Sequence, residues 1–198
     1  MSDNFKSLAF IDTLNPRAVA APLPDLEIQH TWFRAVKLAK WTTVALVPAD
    51  EDVSVLPIAR GLGQMATQEP GARVLVVNAR TLECKQTSDK DSSDAAVQTD
   101  PEYGYDMMDF STLALRKAQQ ALALLPELLE RVTGSSDPYS TVIIAVDPVL
   151  GHTRALPAVK AADCTVLCLP LGRTTFVQAR HLVELIGREK ILGSIAIK

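Results

Sequence analysis

Four stretches of this chain are almost continuously apolar and rich in β-branched residues: Thr43 to Val47, Arg73 to Val77, Thr141 to Val146 and Thr165 to Leu169. A strand with one wet face alternates apolar and polar positions. These stretches do not, so they predict strands buried on both faces. Gly193 to Ile197 reads as a fifth. Between them the pattern changes to a helical period, over Val55 to Thr67, Ser111 to Val132, Thr175 to Gly187 and, more weakly, Arg154 to Ala161. Strands alternating with helices predict an α/β fold, a three-layer α/β/α sandwich around a mostly parallel sheet. Pro126 interrupts the longest helical pattern and predicts a kink or break near Leu125.

The flanks read differently. Residues 1–25 hold Pro16, Pro22 and Pro24 with little periodicity, which predicts an irregular N-terminal arm ahead of a single domain over 26–198. Asp25 to Lys40 reads as a short amphipathic helix, with His30 a surface or capping residue. Over 82–110, acidic residues from Glu83 to Asp109 outnumber Lys85 and Lys90, and a mobile acidic loop is expected.

Composition narrows the classes of function. Of 198 residues 47% are hydrophobic and 22% charged, with a formal net charge of -3, as in a globular protein without attraction for nucleic acid. Arg and Lys are scattered in no run longer than two, which leaves no basic patch for nucleic acid. The start of the chain lacks the basic and apolar segments of a signal peptide, and no stretch approaches the ~20 apolar residues of a membrane span. A cytoplasmic protein is expected, at most peripheral at the inner membrane through a protein partner. Cys84, Cys164 and Cys168 make no disulfide framework, and Cys164 and Cys168 share one strand face as buried structural thiols. No metal spacing accompanies them.

In an open α/β sheet, ligands bind beyond the carboxyl ends of the strands. The first such loop reads Val47-Pro48-Ala49-Asp50-Glu51-Asp52-Val53-Ser54-Val55. A phosphate loop needs glycines, so that backbone N–H groups can wrap the phosphates, then Lys for charge and Ser or Thr for magnesium. Of these parts only Ser54 is present.

From this loop onward the chain resembles the bacterial tyrosine autokinases of capsule and exopolysaccharide synthesis, P-loop NTPases of the deviant Walker A class. In them a G-E-G-K-S-T loop precedes a strand ending V-D-A-D, to which Val74-Leu75-Val76-Val77-Asn78-Ala79-Arg80 is similar. Tyr139 to Gly151 resembles the family's Y-D-Y-V-I-I-D-T-P-P-V-L-G, and Ala161-Ala162-Asp163 with Val166-Leu167 its A-D-x-V-L strand. Gly172-Arg173-Thr174-Thr175 resembles its G-x-T-T, and Ile191 to Ile195 its closing L-G-x-V. The resemblance covers about 43–198.

Carried over residue by residue, the resemblance implies a degenerate nucleotide site. The loop glycines fall on Asp50 and Asp52, the lysine on Val53, the paired aspartates on Asn78 and Arg80, and the magnesium-coordinating aspartate on Ala145. Glu51 and Ser54 are retained, and Asp147 lies two residues beyond the expected aspartate. A carboxylate about 4 Å from a phosphate charge costs roughly 4 kcal/mol at an effective dielectric of about 20. Neither ATP nor magnesium is therefore expected to bind, and no catalytic residue is assigned. Asp50, Glu51 and Asp52 have two readings: an acidic helix N-cap, or a lip that binds Arg or Lys of a partner. His152 and His181 read as surface residues. Tyr103 and Tyr105 sit mid-chain, and no tyrosine-rich tail is expected after the last strand.

The resemblance implies a pseudo-kinase that binds a membrane polysaccharide co-polymerase or export component. Two alternatives stand beside it. One is an enzyme with a displaced nucleotide site, using Glu51, Ser54 and Asp147; the other is a structural subunit paired with an active kinase paralogue or with itself.

Overall fold

The computed structural model describes residues 26–38, 40–82, 84 and 97–197. The expected arm at 1–25 lies outside them, as do Glu83 and residues 85–96 of the expected acidic loop. The strands are β1 (Thr43–Pro48), β2 (Val74–Asn78), β3 (Val97–Thr99), β4 (Asp106–Asp109), β5 (Thr141–Ala145), β6 (Cys164–Pro170) and β7 (Ile191–Ile197). They form one sheet in the order β3-β4-β2-β5-β1-β6-β7, in which every neighbouring pair is parallel except β3 with β4.

The alternation of side chains along each strand divides the core in two. Val44, Leu46, Val74, Val76 and Ile143 join the core that Trp32 of α1 (Leu26–Leu38) and Ala59, Leu62 and Met65 of α2 (Leu56–Ala66) also build. Ala45, Val47, Leu75, Val77, Val142 and Ile144 join a second core with α3 (Leu115–Thr133), α4 (Leu156–Ala161) and α5 (Phe176–Ile186). This is the three-layer sandwich that the apolar runs predict. Contact between α2 and the sheet is close: a Cβ on Gly63 would lie 2.6 Å from Val76 Cγ2. Cys164 and Cys168 are buried free thiols in the first core, and burial pushes each up to about 12.

Two expectations are corrected. The second half of the 82–110 span is not a loop, because β4 pairs with β2 and β3 adds to the edge. Its acidic residues are partnered: Asp106 accepts from Thr99 Oγ1 at 2.6 Å and Tyr139 Oη at 2.8 Å, while Asp109 accepts from Asn78 Nδ2 at 2.8 Å. Tyr105, Met108 and Phe110 between and beyond them are buried. Secondly, α3 starts at Leu115 after a short 3₁₀ turn (Phe110–Thr112), and of the kink or break expected near Leu125 it is the break that is absent, since the helix runs through Pro126. Proline inside a helix costs about 3 kcal/mol. Leu122, Leu125 and Leu129 are all buried on the same stripe, and about 1.5–3 kcal/mol for each offsets that cost.

Among the described residues, no helix is long and apolar enough to cross a membrane.

Candidate functional site

The loops leaving β1, β2, β5 and β6 meet at the carboxyl end of the sheet, and with the last residues of β2 and β5 they carry the positions that the resemblance assigns to the nucleotide site. Asn78 closes β2, where its side chain is 1% exposed and its Nδ2 donates to Asp109. Two residues further, Arg80 is 4% exposed and reaches across to two other loops. Its Nη1 donates to Ser54 Oγ at 2.7 Å, and its Nε stands 3.8 Å from Asp147 Oδ1. Asp147, 2% exposed, follows β5. Its Oδ2 accepts from Thr81 N at 2.6 Å, Thr81 Oγ1 at 2.9 Å and Leu82 N at 3.3 Å. One guanidinium thereby joins the loops after β1, β2 and β5.

The energetics of this buried pair are lopsided. At 3.8 Å the attraction is about 4 kcal/mol at an effective dielectric of about 20, and desolvation of both ions offsets much of it. The pair adds little net stability, but removing one member leaves the other charged and buried, at about 3–5 kcal/mol. The positive charge at this site is thus supplied by Arg80 and held in place by the fold itself. Ala145, the last residue of β5, contributes no polar side chain; its carbonyl accepts from Ala79 N at 2.8 Å, which fixes the start of the β2 loop against β5.

Val53, at the lysine position of the resemblance, is buried in the α1–α2 side of the core. Its side chain therefore packs inward, where a lysine's ammonium would have no water. Ser54 beside it is exposed at its surface and engaged by Arg80.

The N-cap reading of the acidic lip does not hold. Helix α2 begins at Leu56, its N-cap is Val55 without a side-chain cap, and its first turn holds no acidic residue. Asp50, Glu51 and Asp52 precede it and turn elsewhere. Asp50 Oδ1 accepts from Asp52 N at 3.2 Å. Glu51 Oε1 lies 3.0 Å from His152 Nε2. Asp52 Oδ2 pairs with Arg173 Nη1 at 3.2 Å. Both members of that ion pair are largely exposed, so it contributes about 0–1 kcal/mol. The sequence pattern gave His152 as a surface residue and Arg173 as part of the G-x-T-T resemblance, but not their pairing with the lip, because they stand 101 and 121 residues from their partners. His181 remains an exposed residue of α5.

A cleft of about 280 Å³ opens beside Asp147, lined by Thr81, Gln119, His152 and Arg154 among others; no residue from Asp50 to Ser54 lines it. Tyr105 is fully buried and stacked on Tyr103 with ring centroids 6.1 Å apart, and burial raises its hydroxyl to about 12. Among the described residues no group of His, Cys, Asp and Glu is arranged to hold a metal ion.

No protein family matches the chain by sequence profile, and no curated protein sequence matches it. Solved structures do. The chain is similar to the VpsO kinase domain, at 15% identity and a TM-score of 0.68 over 87% of this chain and 92% of that one. It is also similar to the kinase domain of the Escherichia coli tyrosine kinase ETK, at 16% identity and a TM-score of 0.64 over 85% and 71%. The BceF tyrosine kinase domain matches at 18% identity and a TM-score of 0.63, over 85% and 73%. At these identities the likeness is one of fold: the chain has the P-loop NTPase-like α/β fold of bacterial tyrosine kinase domains.

Proposed function

We propose that this chain is a kinase-fold protein without kinase chemistry, acting as an interaction or regulatory subunit in bacterial capsule or exopolysaccharide synthesis and export. One observation carries the reading: the buried Arg80, bonded to Ser54 and paired with Asp147, fills with the chain's own charge the place where strand-end loops of this fold meet. Phosphoryl transfer depends almost wholly on positioning and charge neutralisation around a phosphate. Here Arg80 bonds the Ser54 hydroxyl, Val53 is turned into the core, and two carboxylates stand at the glycine positions of the resemblance. These features together favour binding of neither ATP nor magnesium.

A fold that gives up its chemistry keeps its surfaces. The partner we propose is a membrane polysaccharide co-polymerase or export component, or an active kinase paralogue, with the chain held at the inner membrane through that partner. The test is affinity purification of the tagged chain from detergent-solubilised cells, with quantitative mass spectrometry against an untagged control. Enrichment of a polysaccharide co-polymerase or a tyrosine kinase is the expected outcome. Enrichment of neither, from cells shown to express both, overturns the partner assignment.

A further inference from the structure

The same rim carries an apolar feature that the core does not use. The loop after β6 leads into α5 through Leu171, Phe176 and Val177, which are 58%, 83% and 75% exposed. Phe176 and Val177 are consecutive and Leu171 precedes Phe176 by five residues in the loop before α5, whereas the exposed apolar residues of an ordinary surface stand singly. Hydrogen bonds tie the backbone on either side of them. Thr175 and Gln178 form a reciprocal capping box at the start of α5, and Leu171 N donates to Ile197 O at 2.8 Å, tying the loop to the end of β7.

This apolar knob adjoins the acidic lip, because Arg173 in the same loop pairs with Asp52 at 3.2 Å. Three carboxylates, Asp50, Glu51 and Asp52, there face one guanidinium and one imidazole, so the rim keeps an excess of negative charge. We propose that the rim is a docking surface for a protein segment that combines Lys or Arg with large apolar side chains. The inference rests on the reading of the chain as an interaction subunit and names the chemistry of its partner. Apolar side chains of the segment cover Leu171, Phe176 and Val177, while its cation exchanges with Arg173 or adds to the lip. Charge decides against the other apolar occupant, a membrane surface: anionic headgroups are repelled by the lip, whereas a basic segment is drawn to it.

The probe is a fluorescein-labelled peptide of about twelve residues, with two arginines flanked by leucine and phenylalanine on a serine background, followed by fluorescence anisotropy. Controls replace its arginines by glutamate or its apolar residues by serine. The chain is used in full, as wild type, as Phe176→Ser with Val177→Ser, and as Asp52→Lys. All three replaced positions are exposed, and circular dichroism with thermal melts verifies that the variants stay folded. The expected result is saturable binding, weakened at least tenfold by either chain variant and by either control peptide, and reduced by salt. Binding that is absent, or indifferent to both variants, overturns the proposal. So does preferential sedimentation of the wild type with phosphatidylserine vesicles. Retained nucleotide binding, by contrast, would refute the loss of kinase chemistry and leave this surface standing.

Discussion

Replacing Arg80 by methionine removes the guanidinium while keeping an unbranched apolar stem in a site that is 4% exposed. Asp147 then keeps its three hydrogen bonds from Thr81 and Leu82 but loses the cation 3.8 Å away. An uncompensated buried charge of this kind costs about 3–5 kcal/mol. For a domain of this size, with about 2–4 °C per kcal/mol, the melting midpoint should fall by about 10 °C. Asp147→Asn alone removes the carboxylate 3.8 Å from the buried guanidinium and should cost a similar amount. The double variant leaves neither charge, and the asparagine amide oxygen can still accept from Thr81 and Leu82. Urea unfolding of the four proteins gives the coupling energy directly. The double variant should be more stable than the sum of the single losses predicts, by at least about 2 kcal/mol. Additive losses, or a cost below about 1 kcal/mol for Arg80→Met, would refute the claim that one buried ion pair holds the strand-end loops together.

Three further outcomes follow from the same structure. Val53→Lys, which puts a lysine where the resemblance places one and this chain has valine, should restore no nucleotide binding and should lower the melting midpoint, because residue 53 points into the core rather than toward solvent. The Cys168 thiol is raised from 9.0 to about 12 by burial, so its contribution is complete below the unfolded value and fades as pH rises through the folded one. Linkage gives a loss on the order of 1 kcal/mol at pH 10, and urea titrations at pH 7 and 10 should show a smaller drop for Cys168→Ala than for wild type. Asp163 accepts from Thr42 N and Thr43 N, both at 2.8 Å; burial opposes its ionisation, yet these bonds hold its carboxyl below the usual range. That stabilisation is present above the unfolded carboxyl value and lost as pH falls through the folded one. Asp163→Ala should therefore cost about 1–3 kcal/mol at pH 7 and progressively less in acid, read by urea midpoints.

The central strands were legible because burial on both faces leaves almost no polar residue in them, a local signal that needs no knowledge of partners. The edge was not. In β4, Asp106 and Asp109 flank Met107 and Met108, and acidic content masked a strand whose carboxylates are bonded to Thr99, Tyr139 and Asn78. Pro126 misled for a related reason: local preference signalled a break, while the buried Leu122, Leu125 and Leu129 stripe holds the helix together. At the site, the residue types could be read, but not which of them meet. Arg80 meets Ser54 across 26 residues, and Arg173 meets Asp52 across 121. Such pairs leave no periodic trace, and only the packed strand ends bring them together.

In the proposed function, Arg80 with Ser54 and Asp147 closes the place where the strand-end loops meet, and no nucleotide enters it. Calorimetric titration of the purified full chain with ATP and with ADP, each with and without magnesium, tests it most directly. The account predicts no saturable heat at millimolar nucleotide, equivalent to binding weaker than about 4 kcal/mol. Stoichiometric binding in the micromolar range, abolished by a charge change at Ser54 or Asp147, would contradict it.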